Sequence, residues 1–244
     1  MRDNLEMVVK KQVSIEYLRA LATIAVVLNH VCAGLFNNFS ISELGRGDAA
    51  FLCSTYTLVS WGVPVFLMIT GSLLLSPKKN IDFTKIRMYV TRMFAVLLLF
   101  GGGYSILELI FDGAPLSIQT FLQGYLNMLE RNSWSHMWYI YILISLYLIT
   151  IPLKAMIRGI TDREFDILVL TLVVGNVFVA TVNSIFGTQF YGYMQFGVYL
   201  MWYILGYYLA YRVIPKLELK ESGALLVVLI VTSMLRYFLF CRVF

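Results

Sequence analysis

Charge is scarce in this sequence. Only 14% of the 244 residues are Asp, Glu, Lys or Arg, whereas 59% are hydrophobic and the mean hydropathy is +0.77. Soluble domains hold about 25% charged residues, and two long stretches here, 49–77 and 167–211, hold none. Because about 20 apolar residues cross a hydrocarbon core, the second stretch is long enough for two passes. The composition excludes a soluble globular domain and predicts an all-α, polytopic bundle of transmembrane helices.

Cysteine patterns that bind metals are also absent. The three cysteines, Cys32, Cys53 and Cys241, have no Cys-x-x-Cys spacing, so the sequence indicates neither a disulfide framework nor a metal site. A net charge of +5 would suggest a nucleic-acid partner in a soluble chain. Membrane topology explains the charge better, and no nucleic-acid partner is predicted.

Seven apolar segments predict seven spans, at residues 15–36, 54–75, 88–110, 134–154, 165–186, 193–213 and 223–240. If the N-terminus is cytoplasmic, the outer loops hold only two basic residues, Arg46 and Arg131. The Lys and Arg of the N-terminal tail, the inner loops and the inner helix ends lie inside, and this alternation holds across the first six spans. This asymmetry is what the positive-inside rule requires. The longest predicted loops, 37–53 and 111–133, are both external. The second contains an amphipathic spacing that predicts a short helix, formed by Phe121, Leu122, Tyr125, Leu126 and Leu129.

The first span carries an arginine and a histidine. Arg19 and His30 are eleven residues apart, just over three helical turns, so they lie on nearly one face and about 16 Å apart along the axis. Ionisable residues inside a membrane usually face the bundle interior or a wet cavity. The alternative is an arginine that snorkels to the inner headgroups and a histidine that only packs. Histidine also suits proton transfer near neutral pH, which makes His30 the leading candidate.

A second histidine lies at a similar predicted depth. His136 opens the fourth span from the outer side, and these are the only two histidines in the chain. Its aromatic neighbours also fit an interfacial aromatic belt. Glu108, near the outer end of the third span, is the nearest candidate carboxylate for orienting an imidazole, by depth alone. We therefore include His136 and Glu108 in the candidate catalytic set.

Three cations precede or begin the third span. Lys85, Arg87 and Arg92 lie at its inner entrance, where arginine binds phosphate through bidentate hydrogen bonds and lysine as a point charge. Ordinary positive-inside bias is the alternative.

Glycine and proline predict local features of two spans. In the second span, Gly62 and Pro64 predict a kink. In the third span, the glycines at 101–103 predict close approach to a neighbouring helix.

Five sequence segments carry a resemblance to a known family. They are the Arg19-x10-His30 pair, VPVFLMITGSLLL, KIRMYVTRMF, HMWYIYILISLYLITIP and YLMWYILGYYLAY, in that order. The chain resembles the membrane acyltransferase type 3 family, in its polysaccharide O-acetyltransferase branch, over most of residues 14–212. The family's Arg-x-Arg motif is replaced here by Lys85-x-Arg87.

The resemblance implies a single integral-membrane domain over residues 1–244, in the bacterial inner membrane. It implies transfer of an acyl group, an acetyl group first of all, from cytosolic acyl-CoA to a hydroxyl of a surface or exported glycan or glycolipid. Acyl-CoA is a substrate here, and no permanently bound cofactor is expected. The residues matched to the donor site are Lys85, Arg87 and Arg92. His30 would act as general base, and Arg19 or His136 would stabilise the developing oxyanion, although an acyl-histidine intermediate is an alternative.

Two other functions fit parts of the sequence. A transporter or flippase for a small polar substrate also uses kinked spans and intramembrane charges, but the sequence shows no inverted repeat. The family implies about ten spans, each of about 20 apolar residues, and this sequence holds seven. An inactive, truncated remnant is therefore the other alternative.

Overall fold

The computed structural model describes residues 2–39, 41–130, 137–187 and 197–214. No residue in these ranges belongs to a β-strand. The predicted all-α fold class is therefore confirmed. The helices are α1 (Arg2–Asn38), α2 (Ile41–Val59), α3 (Gly62–Leu74), α4 (Phe83–Val96), α5 (Gly103–Phe111), α6 (Ile118–Leu129), α7 (Trp138–Gly159), α8 (Asp162–Phe186) and α9 (Val198–Tyr208). Two π-helical segments, Leu97–Gly102 and Leu209–Val213, follow α4 and α9 directly.

The chain divides into two compact units by its internal packing. Residues 1–76 and 162–244 form the first unit, and residues 77–161 form the second. The first unit contains α1, α2, α3, α8 and α9, and the second contains α4, α5, α6 and α7. The prediction of one domain over the whole chain stays a prediction.

Five helical stretches in the described part of the chain are long and apolar enough to cross a membrane. They are Val13–Phe36, Gly47–Leu74, Phe83–Phe111, Trp138–Gly159 and Asp162–Asn183. Each corresponds to one of the first five predicted spans, with bounds shifted by a few residues. The sixth is represented by α9 and the π-helical segment after it, and the seventh lies outside the described residues. The count of seven and the cytoplasmic N-terminus therefore stay predictions.

The predicted loop at 37–53 is helical over most of its length, and its external position stays a prediction. Helix α1 continues to Asn38, and α2 begins at Ile41 and runs through this region to Val59. The prediction took this interval as a loop because it lies between two apolar segments, but the charged side chains in it are compatible with a helix. Only Gly45, at φ 74°, departs from helical geometry, which a residue without Cβ adopts readily.

The predicted kink in the second span is confirmed. Helix α2 ends at Val59, a turn follows at Ser60 and Trp61, and α3 begins at Gly62. Pro64 falls in the first turn of α3, where backbone N–H groups have no intrahelical acceptor and the missing donor costs little. The proline thus starts a new helical segment within one span.

In the first unit, α3 and α9 cross with their backbones in contact. A Cβ added at Gly71 would collide with the backbone of Tyr203, and one added at Gly206 would collide with the backbone of Met68. Each glycine therefore admits the main chain of the partner helix. Close approach through small residues is how membrane helices pack, because lipid tails provide no hydrophobic force between helices.

In the second unit, α6 packs against the third span. Its existence confirms the predicted amphipathic helix at 118–129. Gly101 and Gly102 face the side chains of Met128 and Tyr125 on α6, whereas Gly103 has no neighbour within 4 Å of an added Cβ. The close approach predicted for the three glycines is therefore confirmed for two of them.

Candidate active site

Arg19 and His30 both lie towards the packed side of α1. Ala22 and Ala25 between them are buried, and Arg19, Val26 and His30 are partly buried. The opposite side of the helix is a stripe of exposed apolar residues, comprising Tyr17, Leu18, Leu21, Ile24, Val27, Leu28 and Val31. This division agrees with the spacing, which places the arginine and the histidine on one face. Both belong to one continuous helix, so about 16 Å still separates them along its axis.

A hydrogen bond to the backbone indicates which ring nitrogen of neutral His30 carries the proton. Its Nδ1 atom lies 2.7 Å from the carbonyl oxygen of Val26, one turn earlier in α1. A carbonyl oxygen only accepts hydrogen bonds, so Nδ1 carries the proton and donates it. The neutral ring then has its lone pair on Nε2, the nitrogen that can take up a proton. The helix itself thus holds the imidazole in the tautomer of a base.

The kinked second span packs against the helical turn that supports His30. A Cβ on Gly62 would lie 2.9 Å from Cγ2 of Val26 and 3.0 Å from the carbonyl oxygen of Ala22. Farther along α1, the rings of Phe36 and Tyr56 meet edge to face with centroids 6.2 Å apart. These contacts fix α1 against α2 and α3 on both sides of the histidine.

Arg19 makes a local ion pair. Its Nη1 atom lies 2.7 Å from Oε1 of Glu16, three residues earlier, and both side chains remain well exposed. Exposed pairs of this kind contribute roughly 0–1 kcal/mol, so the guanidinium is not committed to a structural role. The remaining guanidinium N–H groups can donate to a further partner.

The three candidate donor-site cations do not share one helix face. At 100° per residue, Lys85 and Arg92 lie on one side of α4 and Arg87 lies about 160° from Lys85. The ammonium of Lys85 donates to the carbonyl oxygen of Asn80 at 2.7 Å, and its backbone N–H is capped by Asp82 at 2.9 Å. Within the described part of the chain, Arg87 and Arg92 are exposed and have no hydrogen bond or ion pair. Lys85 therefore stabilises the helix start, and the two arginines are the available cations.

Lys154 is a buried cation that the sequence did not single out. The predicted fourth span ended at this residue, but α7 continues to Gly159. Only 6% of Lys154 is exposed, and its ammonium donates to the carbonyl oxygen of Lys79. Lys79 in turn lies over the ring of Tyr89, 5.9 Å from its centroid. The lysine thus ties the segment before α4 to α7.

A sequence signal for Lys154 did exist. It falls on the same helical stripe as the buried residues Leu143, Leu146, Thr150 and Ile157. A lysine at helical spacing among buried apolar positions predicts an internal contact, although its partner is a backbone carbonyl and leaves no mark in the sequence.

Two catalytic candidates remain, Glu108 and His136. Glu108 lies in α5, partly exposed, one turn before Asp112. His136 is outside the described residues, so its relation to the other candidates stays a prediction. Among residues 2–39, 41–130, 137–187 and 197–214, no three His, Cys, Asp or Glu residues are grouped in a way that could hold a metal ion.

The comparisons with known proteins identify the family. No curated protein and no solved structure matches the chain. A family model described as an acyltransferase domain, that of acyltransferase type 3, matches residues 12–244 and so covers nearly the whole sequence. The match includes the Arg19-x10-His30 pair and the kinked second span, and it agrees with the five apolar helices. The chain therefore belongs to the acyltransferase type 3 family, a family of membrane acyltransferases.

Proposed function

We propose that this chain is an O-acyltransferase that moves an acyl group, first of all acetyl, from cytosolic acyl-CoA to a hydroxyl of a cell-surface or exported glycan or glycolipid. The membrane is that of the bacterial cell, with the N-terminus in the cytoplasm. The observation that supports this most directly is the hydrogen bond from His30 Nδ1 to Val26. It presents Nε2 as a base on the packed side of a membrane helix, in a family of acyltransferases.

The reaction follows from this arrangement. Nε2 of His30 accepts the proton of the acceptor hydroxyl while the oxygen of that hydroxyl attacks the thioester carbonyl carbon. The carbon–sulfur bond then breaks, the acceptor oxygen keeps the acyl group as an ester, and the imidazolium returns its proton to the CoA thiolate. The Nδ1 bond to Val26 persists throughout, because Nδ1 donates in both the neutral and the charged ring.

Arg19 and the α4 arginines act on the donor. Arg19 is about 16 Å from His30 along α1, which separates it from the reacting carbonyl and suits it to the extended phosphopantetheine arm. Arg87 and Arg92 have exposed guanidinium groups that can pair with the phosphates of CoA. The oxyanion role then falls to His136, the other histidine of the sequence.

Replacement of the base tests the proposal. His30→Gln should reduce transfer of radiolabelled acetyl groups from acetyl-CoA to the glycan fraction of membranes by about 10²–10⁴, the usual contribution of general-base catalysis. The matched control is Val27→Ala, on the exposed apolar side of the same helix. Transfer by His30→Gln at the wild-type rate would exclude the base role, and no transfer by the wild-type chain from any acyl-CoA would exclude the function.

Neutralisation of Arg87 tests the donor site. A charge-assisted hydrogen bond to phosphate contributes about 1.5–3 kcal/mol, so Arg87→Gln should raise KM for acetyl-CoA roughly 10- to 100-fold with little change in kcat. Arg163→Gln removes the same charge from the start of α8 and serves as the control. Equal KM values for Arg87→Gln and Arg163→Gln would assign Arg87 to topology alone.

A further inference from the structure

Cations gather at one end of the second unit. Residues 77–87 and 154–161 hold one carboxylate, Asp82, and six cations, Lys78, Lys79, Lys85, Arg87, Lys154 and Arg158. The carboxylate caps α4, where it accepts the backbone N–H of Lys85 at 2.9 Å. The two basic segments meet in space, because α4 packs against α7 and Lys154 bonds to the backbone of Lys79. This end of the unit therefore carries a positive potential that attracts anions.

Three of these cations converge around Lys154. The side chain of Lys154 is buried, and its ammonium donates to the carbonyl oxygen of Lys79. The charged groups of Lys79 and Arg158 both lie close enough to repel this ammonium. Arg158 follows Lys154 by one turn of α7, is exposed, and pairs with no carboxylate in the part of the chain that the structure describes. Gathering cations around a buried cation is costly, and a bound anion offsets that cost.

Aromatic contacts hold Lys79 in place. Its ammonium lies over the ring of Tyr89 on α4, 5.9 Å from the centroid, a cation–π distance. The ring of Tyr89 in turn packs against that of Tyr147 on α7, with centroids 5.6 Å apart. Lys79 is thus fixed at its carbonyl by Lys154 and at its ammonium by Tyr89. A cation held in position binds an anion without the entropy loss of ordering a long side chain.

An apolar stripe leads from the cations along α7. Ile151 and Tyr147 precede Arg158 by 7 and 11 residues, so they lie within about 20° of it around the helix. Both are partly exposed, and both belong to a stretch that is long and apolar enough to cross a membrane. A ligand whose anionic head binds Arg158 can place an apolar chain along this stripe. A small aqueous anion cannot, so the stripe favours a lipid.

We propose that Lys79 and Arg158 bind the phosphate of an anionic phospholipid. Arg158 binds the phosphate oxygens through its guanidinium fork, and Lys79 acts as a point charge. The buried Lys154 positions Lys79 and adds to the positive field. Basic pockets between membrane helices on the cytoplasmic side bind anionic headgroups, and both basic segments are cytoplasmic in the predicted topology.

This site is distinct from the proposed donor contact at Arg87. Arg87 lies about 160° from Tyr89 around α4, on the side away from Lys79. The inference does not rest on acyl transfer, because it follows from the packing and charge of α4, α7 and the segment before α4. A lipid phosphate and the phosphates of acyl-CoA share one chemistry, so the experiment has an arm for each.

Lipid binding to the full chain tests the proposal. Phosphatidylglycerol and zwitterionic phosphatidylcholine are titrated into the detergent-solubilised chain, and bound lipid is measured by native mass spectrometry. The wild type should bind phosphatidylglycerol more tightly. A basic residue near an anionic surface strengthens binding roughly fivefold, so Lys79→Gln and Arg158→Gln should each weaken phosphatidylglycerol binding about fivefold, and the double variant about 25-fold. Lys78→Gln removes the same charge from the adjacent exposed residue and is the matched control.

Three results would overturn the proposal. Equal affinity of the wild type for the two lipids would remove the preference for an anionic headgroup. Equal losses for Lys78→Gln and Arg158→Gln would reduce the site to diffuse surface charge. The last arm compares acetyl-CoA with dephospho-acetyl-CoA, which lacks one phosphate. If Arg158→Gln abolished the preference for acetyl-CoA and left phosphatidylglycerol binding intact, the phosphate bound here would be that of the donor. If the double variant does not fold, the exposed Arg158→Gln alone carries the test.

Discussion

Two pairs of glycines, one pair in each compact unit, lie against different kinds of neighbour. In the first unit, Gly71 and Gly206 lie against main-chain atoms of the partner helix. In the second unit, Gly101 and Gly102 lie against the ends of side chains on α6. A backbone atom moves only if its whole helix moves, whereas a side chain can rotate away. The α3–α9 crossing is therefore set by the main chain, whereas the contacts that Gly101 and Gly102 make with α6 can adjust by rotation of a side chain.

This difference matters for the candidate site. Arg19 and His30 belong to the first unit, where Gly62 also packs against the backbone of α1. A base that takes a proton from an oriented hydroxyl needs a fixed position, because small displacements lose much of the rate. The basic segment of the second unit binds flexible phosphates in our proposal and tolerates more adjustment.

The largest effect is expected at the main-chain crossing. Gly71→Ala or Gly206→Ala places a methyl group into a backbone, and overpacking already costs about 1–3 kcal/mol where side chains can relax. We expect most of the folded protein to be lost, measured as the monodisperse fraction and thermal midpoint in detergent. Gly103→Ala is the matched control, since no atom lies within 4 Å of its added Cβ. A Gly71→Ala protein as stable as Gly103→Ala would contradict the close crossing.

A smaller effect is expected at the side-chain contact. Gly102→Ala collides with the ring of Tyr125 and should cost about 1–3 kcal/mol, as overpacking typically does. Tyr125→Ala in the same chain removes the obstacle, so the double variant should recover much of that loss. Residues in contact show such coupling of about 0.5–3 kcal/mol.

The same kind of double variant can be made at the main-chain contact of the first unit. Tyr203→Ala should not rescue Gly71→Ala, because the obstacle is a carbonyl group that every residue carries. Rescue of Gly71→Ala by Tyr203→Ala, or additive losses for Gly102→Ala and Tyr125→Ala, would show that the two contacts do not differ as proposed.

The features that could be predicted from sequence depend on the residues of one segment alone, namely their polarity and their ability to donate a backbone hydrogen bond. Apolar segments predicted the five spans that the structure describes as long and apolar enough, and Pro64 with Gly62 predicted the break in the second span. The spacing of apolar residues also gave α6. These features are predictable because burial in lipid and the loss of a backbone donor act on a residue whatever its partners are.

The features that escaped prediction depend on partners distant in sequence. The side of α6 that packs depends on Gly101 and Gly102 on another helix, so the spacing of apolar residues within α6 did not indicate it. The burial of Lys154 was not predicted, because its acceptor is a backbone carbonyl, that of Lys79. The tautomer of His30 depends on a carbonyl, which is the same in every residue type and therefore carries no sequence signal.

The smallest effect is expected for the exposed ion pair between Arg19 and Glu16 in the first unit. Glu16 and Arg19 pair at 2.7 Å, but both are exposed, and pairs three or four residues apart on a helix contribute about 0.2–0.5 kcal/mol. Glu16→Gln should therefore shift the thermal midpoint by hardly more than the error of measurement. Tyr141→Phe, which removes the hydrogen bond to Met128 in the second unit, should cost about 0.5–1.5 kcal/mol. If Glu16→Gln destabilised the chain more than Tyr141→Phe, the ion pair would be a structural element, and Arg19 would have to be withdrawn from the donor path.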